Sequence, residues 1–329
     1  MRAIFQQEPG GKLYIKDIKV PEPGPGEVLV KMSFSPVNPS DLSLLKGTYA
    51  GRPDYPLIPG IEGSGRVVKS GRGFLAGLRK GKRVACIASA GRGGTWSEYM
   101  LTPARHTIPL DKNIGDEQGA MLLVNPLTAL AFVETAKRMG QQSIVNNAAA
   151  GALGKMLISL CLKNNIKPVN IVARKSQLDQ LKNLGAEYVL LSSAPGFDQE
   201  LKNISEELRA KLFFDAVGGR EAETMLRMSP HGSTIISYGK LSEQDIKIDP
   251  RILIQQDKQI RGFYLAKHSS AKSILQNLAG VRKIKNLLSN DLKINVVRKY
   301  PLEKINEAIE DYRENMSAGK VLICLNKSS

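Results

Sequence analysis

The chain has 329 residues, 42% hydrophobic and 24% charged, enough for two domains with cores of their own. That composition describes an ordinary soluble globular protein. Its net charge is +16, with Lys and Arg clustered in residues 66–83 and 282–299. Solvated lysines of a generally basic chain account for this without a partner; anionic ligands such as phosphorylated cofactors and acyl carriers come next, and nucleic acid last, since no RNP, KH or zinc-finger pattern supports it.

Residues 1–115 read as β-rich, with strands at 28–34, 65–68 and 83–87 separated by Gly- and Pro-rich turns such as 21–27. The opening Met1-Arg2-Ala3-Ile4-Phe5-Gln6 runs into polar and Gly/Pro residues without the apolar core of a signal peptide, so a cytoplasmic protein is expected. Residues 116–138 read as helical, interrupted at Asn125-Pro126, where the proline must begin a new helix. The same interruption leaves the most apolar stretch, 120–133, too short to span a bilayer, and no membrane partner is expected. Cys86, Cys161 and Cys324 sit in apolar runs and read as buried thiols. With His106, His231 and His268 scattered and no C-x-x-C, no metal site can be assembled from ligand spacing.

From residue 143 onward strands alternate with helices. The strands fall at 144–147, 169–173, 187–191, 212–216, 234–238 and 260–264, with helices that include 177–184 and 222–228. That alternation describes an α/β fold with a doubly wound parallel sheet. Beyond residue 266 two helices, 273–288 and 303–315, precede a last strand at 321–325. The first βαβ unit carries A-x-x-G-x-x-G, with Ala148 in the place of the first glycine and Gly151 and Gly154 in the others. Between flanking strands this spacing suits a dinucleotide pyrophosphate at a helix N-terminus, although helix–sheet packing without a ligand also produces such strings. The second strand ends in Val172-Ala173-Arg174-Lys175-Ser176, two cations and no acid. An NAD enzyme places a carboxylate there for the ribose hydroxyls, so NADPH is the expected cofactor.

Several strings resemble the medium-chain dehydrogenase/reductase superfamily. They are Val37-Asn38-Pro39-Ser40-Asp41, Gly47-Thr48-Tyr49, Gly60-Ile61-Glu62-Gly63, Gly94-Thr95-Trp96, Asn125-Pro126-Leu127-Thr128-Ala129, Ala216-Val217-Gly218-Gly219 and Arg261-Gly262-Phe263-Tyr264-Leu265. The resemblance implies a GroES-like substrate domain from 1–119 and 266–329 around a Rossmann dinucleotide-binding domain at 120–265. Zinc-dependent members use an early cysteine and a Gly-His-Glu; Asn38 and Ile61 stand at those positions, which points to the zinc-free branch. Within it the chain is most similar to mitochondrial-type 2-enoyl thioester reductases, which implies Tyr49 as proton donor and Asn38 and Trp96 as substrate-pocket neighbours. The same resemblance implies a cofactor site made of Asn125, Thr128, Ala150, Gly151, Ala152, Leu153, Gly154, Ala173, Arg174, Lys175, Tyr238, Gly239, Lys240, Leu241, Phe263, Tyr264, Leu265 and Lys320. A homodimer is implied too. Two alternatives stay open: an NADPH:quinone oxidoreductase, and an NADPH-binding, RNA-associating protein like the zeta-crystallins.

Overall fold

The computed structural model describes residues 1–49, 54–89, 91–290 and 294–326. The chain divides into two compact units, Met1–Val124 with Val281–Ser329, and Asn125–Gly280. It opens with strands β1 (Arg2–Gln6), β2 (Leu13–Asp17) and β3 (Glu27–Pro36), helix α1 (Pro39–Leu45), strand β4 (Glu62–Ser70) and helix α2 (Phe74–Arg79). Strands β5 (Arg83–Ile87), β6 (Tyr99–Pro103) and β7 (Thr107–Pro109) follow, then helix α3 (Asp116–Ala120). Helix α4 (Val124–Arg138) leads to β8 (Ser143–Asn146), α5 (Ala152–Leu162), β9 (Lys167–Val172), α6 (Lys175–Asn183), β10 (Tyr188–Leu191) and α7 (Phe197–Glu207). Next come β11 (Leu212–Asp215), α8 (Gly219–Met228), β12 (Thr234–Ser237), α9 (Pro250–Gln255), β13 (Gln259–Gly262) and α10 (Leu265–Ser270). The chain returns through α11 (Ile274–Asn290), β14 (Val296–Pro301), α12 (Ile305–Glu314) and β15 (Lys320–Cys324).

In the second unit the strand order is β10-β9-β8-β11-β12-β13, every neighbour parallel. The order reverses between β8 and β11, the switch point at which such sheets bind ligands beyond their carboxyl ends. Val145, Val169, Ile171, Phe213 and Ile235 bury the sheet against Leu201, Met225 and Leu226 of the flanking helices. The inner strands are short and largely apolar, as strands covered on both faces must be, whereas the edge strand β13, Gln259-Ile260-Arg261-Gly262, is mostly exposed. In the first unit β3 is a central strand, antiparallel to β4, β6 and β15, and β15 is parallel to β14. Its core gathers Ile4, Val28, Val30, Met32, Trp96, Met100, Ile309, Tyr312 and Ile323.

All six strands of the parallel sheet appear where the sequence places them, within one or two residues. Strand β13 stops at Gly262, however, so Phe263 and Tyr264 lie beyond it. The helical segment breaks at 121–123 rather than at Asn125, because α4 accommodates Pro126 in its first turn, where a missing N–H costs nothing. Strands β1, β2, β6, β7 and β14 and helices α1, α2, α7, α9 and α10 are additions to the expected elements. Cys86 and Cys161 are buried thiols as expected, but Cys324 is half-exposed, at the carboxyl end of β15.

Candidate active site

The carboxyl edge of the parallel sheet is built from turns that follow its strands. After β8 the chain enters the small-residue turn through Asn147, and Ala148 adopts φ 48°. That left-handed conformation costs an L-residue about 1–2 kcal/mol, which is why glycine is usual there. Gly151 caps α5 without a side chain, so the amides of Ala152, Leu153 and Gly154 open the helix with no partner inside it. A Cβ on Gly154 would stand 2.3 Å from the Ala149 carbonyl oxygen; only glycine lets helix and turn approach this closely. The result is a row of amides and a helix N-terminus aimed past the strand ends, an arrangement that suits an anion.

Asn147 and Asp215 lock the switch point. The Asn147 amide donates to Asp215 Oδ1 at 2.7 Å and accepts from the Ala216 amide at 2.7 Å. Asp215 Oδ1 also accepts from the amides of Val217 and Gly218, while Oδ2 accepts from the Ser237 hydroxyl. One fully buried carboxylate thereby ties together the ends of β8, β11 and β12. Beside it, burial pushes the Glu221 carboxyl up, and so does the charge of Asp215, while hydrogen bonds with Ser192 and Asn147 pull it back.

The following loops stack on this frame. Leu241 N–H donates to the Ala216 carbonyl, and a Cβ on Gly239 would sit 2.6 Å from that same oxygen. Lys240 pairs with Asp245. Burial and the nearby Asp215 carboxylate raise the Tyr238 phenol above its ordinary value. Phe132 of α4 stacks on Phe214 at 4.1 Å and meets the rings of Tyr238 and Phe263 at 4.9 and 5.0 Å. Asn125 and Thr128 share the Phe132 face of α4 by helical spacing, so they too lie toward this edge. Phe263 continues the ladder with its N–H on the Ser237 carbonyl, and Tyr264 and Leu265 open α10. At the end of β9, the Gln177 side chain accepts from the amides of Ala173 and Arg174, and Arg174 and Lys175 are exposed. The expected cofactor residues of this unit therefore lie along one sheet edge.

The remaining residues lie in the first unit, organised by a buried polar network. Asn38 caps α1, and its N–H donates to Asp41 Oδ2 at 2.8 Å in a capping box. Its Nδ2 donates to Glu62 Oε1 at 3.0 Å, and its Oδ1 accepts from the Lys320 ammonium. Glu62 Oε2 also accepts from the amides of Leu123 and Val124. Asp41, Glu62 and Lys320 are each at most 1% exposed. Burial pushes the Asp41 carboxyl up to about 7, against the pull of the Asn38 amide. Burial likewise raises Glu62, which Lys320 draws back, and lowers Lys320, which Glu62 and Asp41 draw back. The ammonium also lies 5.9 Å from the centre of the Tyr312 ring. Lys320 thus sits inside this network. Tyr49 is half-buried just after α1, its amide on the Ser43 carbonyl, so α1 connects Asn38 to Tyr49. Trp96 is fully buried in the core, its Nε1 without an acceptor among the described residues.

Sequence reasoning passed over Asn147, Asp215 and Glu221, whose identities signal nothing until the strand ends converge. Asp41 and Glu62 lie inside the Asn38-Pro39-Ser40-Asp41 and Gly60-Ile61-Glu62-Gly63 strings, and the Asn38-x-x-Asp41 spacing of a capping box is the signal the sequence offers for the first.

A GroES-like family of alcohol dehydrogenases matches residues 24–112, and the zinc-binding dehydrogenase family matches residues 152–280. The rat mitochondrial enoyl-[acyl-carrier-protein] reductase is 31% identical over 265 residues, 79% of this chain and 70% of the relative. Its Xenopus tropicalis counterpart is 27% identical over 97% of this chain and 93% of its own. The crystal structure of a candidate NADPH:quinone reductase from Mesorhizobium loti superposes with a TM-score of 0.89, 30% identity and 98% coverage of both chains. Fold and site together are those of a dehydrogenase/reductase with a GroES-like unit and a dinucleotide-type sheet. The chain belongs to the medium-chain dehydrogenase/reductase superfamily of oxidoreductases.

The zinc of some relatives does not fit these residues. Ile61 has no donor atom, the Asn38 carbonyl oxygen is taken by an ammonium, and no group of three His, Cys, Asp or Glu among the described residues could hold a metal ion.

Proposed function

We propose that the protein reduces the C=C bond of an α,β-unsaturated carbonyl, a 2-enoyl thioester, with NADPH. The observation that carries this reading is its kinship to enoyl-[acyl-carrier-protein] reductases over most of the chain. The sheet edge supports the cofactor assignment. The amides of Ala150 to Gly154 would hold the pyrophosphate, Arg174 and Lys175 the 2′-phosphate, and Asn125, Thr128, the 238–241 loop and Phe263 to Leu265 the remainder. Bound there, NADPH would supply the hydride that the substrate Cβ accepts. The electron pair of the C=C bond moves toward the thioester oxygen, and Cα then needs a proton. Tyr49 is assigned as its donor, the phenol stabilising the developing enolate and recovering its proton from water. Asn38 is assigned to the substrate side through its hold on α1, whereas Trp96, expected there from the resemblance, is fully buried and packs the core of the first unit. In this reading the first unit is the substrate domain and the second the cofactor domain.

Quinone reduction is the second reading, favoured by the likeness to the Mesorhizobium loti structure. NADPH oxidation against a crotonyl thioester and a simple quinone separates the two; turnover of the quinone alone overturns the enoyl assignment. We further assign a homodimer, formed along β13, the exposed edge of the parallel sheet. Its expected signature is a dimer mass in solution, lost on charging that edge. The three free cysteines support a reducing, cytoplasmic setting, and no described helix is long and apolar enough to cross a membrane.

A further inference from the structure

The activity leaves one feature of the first unit unused. Residues 66–83 hold seven cations and no carboxylate, Arg66, Lys69, Arg72, Arg79, Lys80, Lys82 and Arg83. Lys69 is neutralised by Glu22 and Arg83 by Asp116. Arg72, Arg79, Lys80 and Lys82 have no carboxylate partner among the described residues. The Arg79 Nε is buried without an acceptor. Arg105, on the short turn against which α2 packs, adds another exposed cation.

Within this cationic stretch α2 is turned inside out. Its small residue, Ala76, faces the core at 1% exposure, while Phe74 is 85% exposed and Leu78 51%. Leu75 is exposed too. Positions 74, 75 and 78 share one helix face, so the three apolar side chains stand side by side in water. Burying a Phe or Leu side chain is worth roughly 1.5–3 kcal/mol, and nothing in the first unit collects that stabilisation here. A second copy of this chain is a poor occupant, because the face would bring its unpaired cations against their own duplicates.

We propose that this face docks the protein on an anionic lipid surface, with Phe74, Leu75 and Leu78 entering the acyl boundary and Arg72, Arg79, Lys80 and Lys82 meeting the headgroup phosphates. Apolar side chains standing out from a cationic collar are the pattern of interfacial helices, and apolar insertion plus charge gives the two signals that stable attachment needs. The expectation of no membrane partner rested on the length of apolar runs, which bears on spanning and not on surface docking.

Flotation of the whole protein with phosphatidylcholine vesicles, with or without about one third phosphatidylglycerol, tests this. Binding is expected to the anionic vesicles alone and to fall with salt. Each lost cation near such a surface weakens binding about five-fold, so Lys80→Gln/Lys82→Gln should lose about 25-fold. Phe74→Ser/Leu78→Ser should lose at least about tenfold, with NADPH turnover of a water-soluble substrate unchanged as the control for folding. The proposal is overturned if wild type ignores anionic vesicles, or if the serine variant binds them as well as wild type. It is equally overturned if an acidic protein or RNA, and not vesicles, is the ligand that the glutamine variant loses.

Discussion

Lys320→Met removes the one cation from a buried group that also holds Asp41 and Glu62. The substitution keeps the length and apolar stem of the side chain, so cavity formation adds little. What remains is a Glu62 carboxylate that has lost its balancing charge and an Asn38 carbonyl oxygen that has lost its donor. Breaking a buried ion pair by deleting one partner costs about 3–5 kcal/mol, whereas replacing the pair with neutral groups is often close to neutral. The single variant should therefore destabilise the first unit by about that much, and Lys320→Met/Glu62→Gln should recover at least half of the loss. Trp96 is the only tryptophan in the chain and is fully buried in this unit, so urea unfolding followed by its fluorescence reads this unit alone. A loss below about 1 kcal/mol, or a double variant no better than the single one, would refute the reasoning. NADPH affinity is the cross-check. If Lys320→Met leaves stability intact and weakens NADPH instead, the lysine serves the cofactor rather than the carboxylates.

Four further outcomes follow from the same structure. Asp41 has a folded value of about 7 against 3.8 ordinarily, so between these values the folded unit keeps a proton that the unfolded chain has shed. Its contribution is fully present below pH 3.8 and is lost as pH rises through about 7; Asp41→Asn should flatten that decline in Trp96-monitored urea midpoints. Arg174→Ala/Lys175→Ala should weaken NADPH by about 1.5–3 kcal/mol per lost charge-assisted bond and NADH far less, measured by fluorescence titration of both. Gly154→Ala forces a Cβ to 2.3 Å from the Ala149 carbonyl, and the required shift should cost about 1–3 kcal/mol and loosen NADPH, read by melting and titration. Tyr49→Phe should slow crotonyl-thioester reduction about 10²–10⁴-fold while NADPH affinity stays near wild type, by steady-state kinetics and titration.

The parallel sheet was legible because five of its six strands are built on short apolar runs between turn signals, and local composition sets that pattern. Strand β13, Gln259-Ile260-Arg261-Gly262, is not such a run and follows only from the alternation of strands and helices. The first unit was less legible for the opposite reason. Strand β14 reads Val296-Val297-Arg298-Lys299-Tyr300-Pro301, largely exposed and charged, and is a strand only because β15 pairs with it. Helix α2 was hidden too: Gly73, Gly77 and Gly81 argue for a loop, and its apolar side chains face outward, so no core-facing period exists to detect. At the site, the turn glycines and the Arg174-Lys175 pair announce themselves because backbone approach and charge are properties of single residues. Asp215 and Asn147 stand 68 positions apart in sequence and acquire meaning only when β8 and β11 pair.

The polar network also bears on how a carbonyl can be activated here. Asn38 and Ile61 stand where the resemblance implies the metal ligands of zinc-dependent members, and in this chain one is a neutral amide and the other a hydrocarbon. The Asn38 amide has one orientation that satisfies both neighbours, with its NH₂ toward Glu62 and its oxygen toward Lys320, and the opposite orientation would set donor against donor and acceptor against acceptor. An ammonium and a carboxylate therefore already balance each other around this amide, and Asp41 carries its proton below about pH 7. Introducing a divalent ion would require expelling the ammonium and stripping the amide of its partners, with no thiolate or imidazole to compensate. Charge developing on a substrate oxygen must then be met by a hydrogen-bond donor that stays neutral in the ground state. A phenol is such a donor, and α1 runs from the Asn38 cap to the Ser43 carbonyl that holds the Tyr49 amide. The same residues that exclude the metal thus fix the helix from which Tyr49 follows, which is the physical reason to look for the proton there.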